Sequence, residues 1–427
     1  MSKKMKIMYA AGPGNVIGTF DFWRKGQDDP SQVSMTFSGQ FYDVCSALDA
    51  EGYIIASNSE KKVLKDGRFM LEHRPVLLSK QSGVLYHLGQ ILYELSFVIS
   101  ALLFKADVVV GNPTSYFFVS SLLPKLGIQV IPSLHCLLWS KCISQRNFAE
   151  INYPKFDKNL DLYKFFVLYV EQVVLAKILR FKASLFWKIN SKFFAKDCLA
   201  ILSTSEDIND QVKQITNSQS CPVVNFLSTY RRTEFENVTP PSQDKSTFHV
   251  LFAGRIEADK GVFDLLEIAK RFKAECRSNI VFHICGTGSV LELLSKQVEE
   301  FELHSTFVLN GYCNKPKMQQ MFSLSHVVIV PTKSDFNEGL NQVVIEGVLA
   351  NRPIITSSVC PALAYVQEAV VEVPPDDVEA YGDAILKLHD NYDLYEEKQQ
   401  SCKKLQEPFY SDSRSWSEAL KSILKKL

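Results

Sequence analysis

Four side chains stand out by type and spacing: Arg255 and Lys260, five positions apart, and Glu338 and Glu346, eight apart. The first pair lies in Gly254-Arg255-Ile256-Glu257-Ala258-Asp259-Lys260-Gly261, between the apolar run His249–Ala253 and a helical repeat that begins at Val262. A helix start presents N–H groups without intrahelical partners and the positive end of the backbone dipole, which suits phosphate. An Arg and a Lys beside it can neutralise a diphosphate, and Arg can grip it with two parallel hydrogen bonds. Gly254 and Gly261 permit close backbone approach. The same residues also fit a solvated helix entrance without a ligand.

The second pair lies in Glu338-Gly339-Leu340-Asn341-Gln342-Val343-Val344-Ile345-Glu346. If a helix begins near Asn341, Glu338 sits on the loop before it and Glu346 falls among the apolar Val343, Val344 and Ile345. A buried carboxylate generally needs a partner, and a sugar or ribose diol offers two O–H donors. Two Glu at this spacing also arise by chance. A third element, Cys285-Gly286-Thr287-Gly288-Ser289, reads as a tight turn at a strand end, with Ser289 able to cap the helix after it. No acidic cluster of the DxD type and no His/Cys ligand spacing suggests a metal, so neither metal nor cofactor is expected.

These groups need strand ends to hold them. Apolar runs at His249–Ala253, Ile280–Cys285, Thr306–Leu309, Val327–Val330, Ile354–Thr356 and Val370–Val373 alternate with helix-period segments. The first half repeats the theme at Lys6–Ala10, Tyr53–Ala56, Asp107–Val110, Gln129–Pro132, Ala200–Ser203 and Val223–Phe226, with helices expected over 38–50, 84–104, 114–126 and 205–216. Short buried strands alternating with helices imply parallel sheets covered on both faces. The fold class is therefore α/β, with two Rossmann-like doubly wound domains facing a central cleft. The 427 residues suit two domains of about 200 each: residues 1–232 and 247–405, joined by the polar stretch 233–246.

Forty-seven basic residues balance 47 acidic ones, which speaks against a nucleic-acid partner. The ten cysteines lack CxxC pairs and read as reduced thiols. The most apolar stretch, Ile91 to Phe104, is short for a membrane span of about 20 residues and reads as a buried helix. The start lacks the apolar region of a secretory signal, and a cytoplasmic protein is expected. Residues 155–198 carry nine Lys or Arg against four Asp or Glu, interleaved with aromatics. They read either as core helices with a solvated basic face or as a surface for anionic lipid.

The order G-R-x4-K-G, strand-G-x-G, P-T-x-S-x3-E-G-x6-E and R-P-I-I (Arg352–Ile355), in a stretch reaching from the strand before Gly254 to near Leu388, resembles family 4 of the retaining GT-B glycosyltransferases, the glycosyl transferases group 1 domain. The resemblance implies that Arg255 and Lys260 bind the donor diphosphate, Glu338 contacts the transferred sugar and Glu346 binds the donor ribose. It further implies that the N–H groups of Leu340, Asn341 and Gln342 cradle the distal phosphate, with Gly254, Gly286 and Gly339 shaping the loops and Gly311–Asn314 beside the nucleobase. Asn341 replaces a second Gly common in the family. In the first half, Gly14 in Gly12-Pro13-Gly14-Asn15 resembles the family's glycine loop, and His135 stands where members carry a His that touches the donor sugar. Ser203-Thr204-Ser205 fits the family but also reads as an N-cap. Residues 406–427 would cross back onto the first domain. The implied activity is sugar transfer from a nucleotide-sugar to a glycan or lipid-linked acceptor, with possible peripheral contact with anionic membrane. A soluble transferase acting on a small acceptor, a catalytically silent GT-B subunit and a sugar-nucleotide epimerase remain alternatives.

Overall fold

A computed structural model describes residues 3–27, 29–111, 117–139, 187–242 and 246–427. In the first half the strands are β1 (Lys6–Pro13), β2 (Glu51–Ser57), β3 (Lys62–Asp66), β4 (Phe69–Arg74), β5 (Val108–Val110), β6 (Gln129–Ile131), β7 (Ser133–Leu134), β8 (Ile201–Ser203) and β9 (Val223–Asn225). The second half has β10 (Phe248–Ala253), β11 (Ile280–Cys285), β12 (Phe307–Gly311), β13 (Val327–Val330), β14 (Ile354–Ser357) and β15 (Val370–Val373). The first sheet runs β3-β4-β2-β1-β5-β6, with a small continuation β7-β8-β9, and the second runs β12-β11-β10-β13-β14-β15. Every pairing is parallel except β3 with β4.

Parallel strands covered by helices on both faces must be apolar throughout. Ile7, Met8, Tyr9 and Ala10 of β1 are all buried, as are all four residues of β13. Helix Val262–Ala274 buries Val262, Leu265, Leu266, Ile268, Ala269 and Phe272, the face that its 3.6-residue repeat predicts. In each sheet the chain starts at a central strand, winds outward one way, then returns to the other side. The reversals lie between β1 and β5 and between β10 and β13, where an open α/β sheet forms a crevice at its carboxyl edge.

Several elements differ from expectation. The β3–β4 hairpin was not anticipated; its two-residue turn holds Gly67 at φ +56°, and Asp66-Gly67 is the local signal for it. The helix expected over 114–126 breaks into Phe117–Ser120 and Leu122–Lys125, and residues 114–116 lie outside the described ones. Ser289 caps no helix: Leu291–Glu300 starts after Val290, and Ser289 bonds to the Glu257 carboxylate instead. Ser205 does cap, accepting from the Ile208 N–H.

Helix Gly83–Phe104 is only partly buried. Tyr93, Phe97, Val98 and Ala101 face the core, while Leu85, Leu88, Leu92, Ile99, Leu102 and Leu103 are exposed along its outer side. By length and composition it could span a bilayer. Of the basic aromatic segment only 187–198 is described. Phe193 and Phe194 are buried there, Trp187 is exposed, and Lys188, Lys192 and Lys196 are exposed.

The last helix, Trp416–Leu424, packs in the first core with Trp416, Leu420 and Ile423 buried. The chain thus passes between the two halves twice, near 227–230 and near 409–415. The passages lie side by side: Leu227 N–H donates to Arg414 O and Tyr230 N–H to Phe409 O, each at 2.9 Å.

Candidate active site

At the carboxyl ends of β10 and β13 lies a cavity of about 390 Å³ lined by Gly254, Arg255, Lys260, Thr332, Glu338, Leu340, Asn341, Gln342 and Glu346, among others. Close backbone packing shapes it. Gly261 has φ +73°, and a Cβ there would stand 2.1 Å from the Pro331 carbonyl oxygen. Only glycine lets the Lys260 turn lie against the loop leaving β13. Gly286 and Gly288 act likewise one strand over, where added Cβ atoms would stand 1.8 Å from Gly254 O and 2.1 Å from Ile256 O. These glycines hold the Arg255 loop and do not line the cavity.

Lys260 Nζ donates to Glu338 Oε2 at 2.7 Å. The same oxygen accepts from Thr332 Oγ1 at 2.9 Å and from Asn341 Nδ2 at 3.4 Å. Both charged side chains are largely buried, at 13% and 8% exposure, so each satisfies the other in place of water. Lys260 Nζ also stands 4.0 Å from the centre of the Phe336 ring. Arg255 is exposed at the cavity mouth, 5.8 Å from that ring. Helix Gln342–Leu349 follows Asn341, whose side chain forms no cap; Val344 N–H donates to Asn341 O at 3.2 Å, and the helix start, with Asn341, Gln342 and Val343, lines the cavity.

Glu346 lies inside that helix and is buried, and burial raises its carboxyl to about 7. The phenol of Tyr230 lies next to it, also buried, without reaching hydrogen-bond geometry. Desolvation pushes that phenol well above its usual value. This carboxylate has no strong partner, which leaves its acceptor capacity open to a ligand diol.

Across the cleft, a second cavity of about 220 Å³ opens at the end of β1. Gly14 lines it, and Gln342 lines both cavities. His135 lines neither. Expectation set its ring against the donor sugar, but the ring packs between Phe37 and Phe226, with centroids at 4.7 and 5.4 Å. Burial lowers its pKa to about 4, so it is neutral near pH 7. Its Nε2 lies 3.0 Å from Ser133 Oγ, which accepts from Trp416 Nε1 at 3.0 Å. What reaches the loop beside the first cavity is its carbonyl, 2.5 Å from where a Cβ on Gly339 would sit. Cys136 and Gly339 form an isolated antiparallel bridge beside it.

The structure thus gathers Gly254, Arg255, Lys260, Glu338, Leu340, Asn341, Gln342 and Glu346 around one cavity. Gly286 and Gly339 are packing positions. Thr332 and Phe336, which hold Glu338 and Lys260, were not singled out from sequence, although both lie within the Pro331–Glu338 stretch. The loop Asp29–Thr36 of the second cavity carries no motif that could have announced it. Among the described residues, no group of three His, Cys, Asp or Glu is placed to hold a metal ion.

Residues 234–405 match the profile of the family Glycosyl transferases group 1. No curated protein matches the chain by sequence. Solved structures match over the whole chain, and the fold they share is the two-domain GT-B fold. HepE of Anabaena in complex with UDP aligns at TM-score 0.62 and 11% identity, covering 100% of both chains. WaaG, a glycosyltransferase involved in lipopolysaccharide biosynthesis, aligns at 0.61 and 12%, covering 98% of this chain and 99% of its own. Trehalose-6-phosphate synthase OtsA aligns at 0.65 and 12%, covering 100% and 99%.

Proposed function

We propose that the protein is a retaining, metal-independent glycosyltransferase of the family 4 type, moving a sugar from a nucleotide-sugar to a glycan acceptor. One observation carries this: two cations, an open helix start and two acidic side chains surround a single cavity at the β10 and β13 ends. Arg255, Lys260 and the helix N–H groups stabilise charge growing on the departing diphosphate. Donors already on the diphosphate when its charge grows lower the barrier, and one is worth on the order of 3 kcal/mol. Glu338 orients the transferred sugar and Glu346 takes the ribose diol. The acceptor attacks from the face that the diphosphate leaves, and a donor phosphate oxygen takes the acceptor's proton. The second domain, 247–405, holds the donor; the first, with 406–427 returned to it, holds the acceptor.

The protein acts on the cytoplasmic face of the membrane, on a lipid-linked or surface-polysaccharide acceptor. The exposed leucine side of helix Gly83–Phe104 and the exposed Lys188, Lys192 and Lys196 favour this over a small soluble acceptor. Apolar side chains insert at a headgroup boundary, and each basic residue near an anionic surface adds about 1 kcal/mol.

A thermal-shift panel of UDP-, GDP-, ADP- and CMP-sugars tests the donor reading, since a ligand that binds only the folded protein raises its melting temperature. At least one should shift it, and EDTA should leave turnover unchanged. No shift with any donor, or strict Mn²⁺ dependence, overturns the scheme. Co-sedimentation with anionic vesicles should weaken with salt and with charge reversal at Lys188, Lys192 and Lys196. Equal recovery with neutral vesicles returns the small-acceptor alternative.

A further inference from the structure

Away from the cleft, two cysteines 23 positions apart meet at the amino ends of adjacent strands. In the pairing of β8 with β9, Ile201 stands opposite Val223, and the chain just before each strand carries Cys198 and Cys221. Backbone bonds fix both residues: Cys198 N–H donates to Phe193 O at 3.1 Å and Cys221 N–H to Phe194 O at 2.8 Å. The Cys198 thiol turns to that same Phe194 oxygen at 3.9 Å, and the Cys221 thiol donates to Cys198 O at 3.0 Å. The two thiols are also within hydrogen-bond reach of each other. None of the described cysteines forms a disulfide, so the pair stands as a dithiol.

Their surroundings give the two sulfurs different roles. The species that attacks a disulfide is a thiolate, and it must be reached from solvent. Cys198 is buried in the first domain with Phe193, Phe194, Ile208 and Val212, and the half-buried Cys221 packs against that core. Cys221 is therefore the reachable sulfur, and the hydrogen bond from Cys198 holds its thiol below the ordinary range. The same contact, with burial, pushes the Cys198 thiol up. Cys198 can react only with a sulfur that is brought to it.

We infer that Cys198 and Cys221 are a modification site, a dithiol that a low-molecular-weight disulfide oxidises to an internal bond. The Cys221 thiolate attacks one sulfur of the reagent, which forms a mixed disulfide and releases one small thiolate. Cys198 passes its proton to that thiolate, and its sulfur attacks Cys221 Sγ and displaces the second. Two protein thiols are oxidised, one small disulfide is reduced, and no other reactant is needed. The bond closes a loop around helix Glu206–Thr216 and fastens the turn Phe193–Asp197, where the basic segment ends, to the amino edge of β9. The carboxyl edge of β8 faces the other half of the molecule, where Tyr365 Oη donates to Thr204 O at 3.1 Å. The modification thus lies at the edge of the sheet remote from the cleft.

Peptide mapping tests this. The full chain, reduced and then freed of reductant, is incubated with glutathione disulfide, blocked with N-ethylmaleimide and digested with trypsin, which cuts between the two cysteines at Lys213. At least half of the chains should carry the Cys198 peptide joined to the Cys221 peptide, and dithiothreitol should part them. Cys198→Ser should stop the sequence at the mixed disulfide, with one glutathione held on Cys221. Cys221→Ser should leave Cys198 carrying at least tenfold less glutathione than Cys221 holds in the first variant. Alkylation of both cysteines in the oxidised wild type overturns the inference. So does glutathione that stays on Cys221 beside a reduced Cys198, or a bond joining Cys285 to Cys313 while Cys198 and Cys221 remain thiols. The wild-type map decides even if a serine variant does not fold.

Discussion

On one side of Gln342 the walls carry Arg255, Lys260, Glu338 and Glu346; on the other they carry Asn15, Gln32, Ser34 and Ser38. The charged side is already internally paired, Lys260 to Glu338 at 2.7 Å, so a diphosphate that arrives must take the lysine from the glutamate. On the other side Asp29 and the Asn15 Oδ1 are engaged, while Gln32, Ser34 and Ser38 have no side-chain partner among the described residues. Under the transfer reaction proposed above, the charged side is the one that meets the departing diphosphate. The two cavities differ in which part of the reaction they can stabilise.

The largest effect expected across this divide is at Lys260. Lys260→Ala should lower turnover by about 100-fold at saturating donor, the loss of roughly 3 kcal/mol of leaving-group stabilisation. Ser38→Ala in the second cavity should act mainly on the acceptor KM. Steady-state nucleoside-diphosphate release measures both, and equal losses of turnover would erase the distinction.

A second contrast concerns pH. Glu346 has its folded pKa raised to about 7, above the value of about 4.3 that it has unfolded. The native state therefore binds the extra proton: relative to an ionised reference, Glu346 adds stability that is fully present below the unfolded value and is lost as pH rises through about 7. Glu346→Gln removes that dependence. The variant should melt above wild type at pH 8, by at most about 4 kcal/mol in stability, and the gap should narrow towards pH 5. Parallel melting curves over this range would mean that Glu346 is not buried in its neutral form.

Next in size is the competition at Lys260. Glu338→Gln should lower turnover about tenfold, because the sugar loses its carboxylate contact. It should also tighten binding of the free nucleoside diphosphate several-fold, because Lys260 no longer has an anionic partner to leave. Calorimetry separates the two, and unchanged or weaker binding would mean that the ion pair does not oppose the ligand. The smallest effect expected is Trp416→Phe. It removes the N–H donated to Ser133 and should cost about 1 kcal/mol of stability, a few degrees of melting temperature, with turnover within twofold. A tenfold loss would draw His135 into the chemistry.

The charged cavity was legible in sequence because its parts are local. Gly254 to Gly261 lies within one strand-to-helix turn, and Glu338 and Glu346 flank one helix start. Strand runs such as Val327–Val330 are apolar throughout, so their burial on both faces could be read directly. The first domain was harder for physical reasons. Much of its cavity is walled by an irregular loop, Asp29–Thr36, that has no periodicity to detect. His135 illustrates the limit. Its position after β7 was readable, but the rings that enclose it come from Phe37 and Phe226, far away in sequence. Helix Gly83–Phe104 is apolar around most of its circumference, so its pattern could not tell a buried side from an exposed one.

The double passage between the halves, at Leu227–Tyr230 and Phe409–Ser415, has a mechanical consequence. A single covalent tether lets one body swivel about the other in any direction. Two tethers laced by backbone hydrogen bonds act like the paired leaves of a door hinge. They resist torsion along the chain and leave a swing about a single line as the soft motion. Any closing of the cleft is thereby guided so that the walls around Gln342 meet in the same alignment on every cycle.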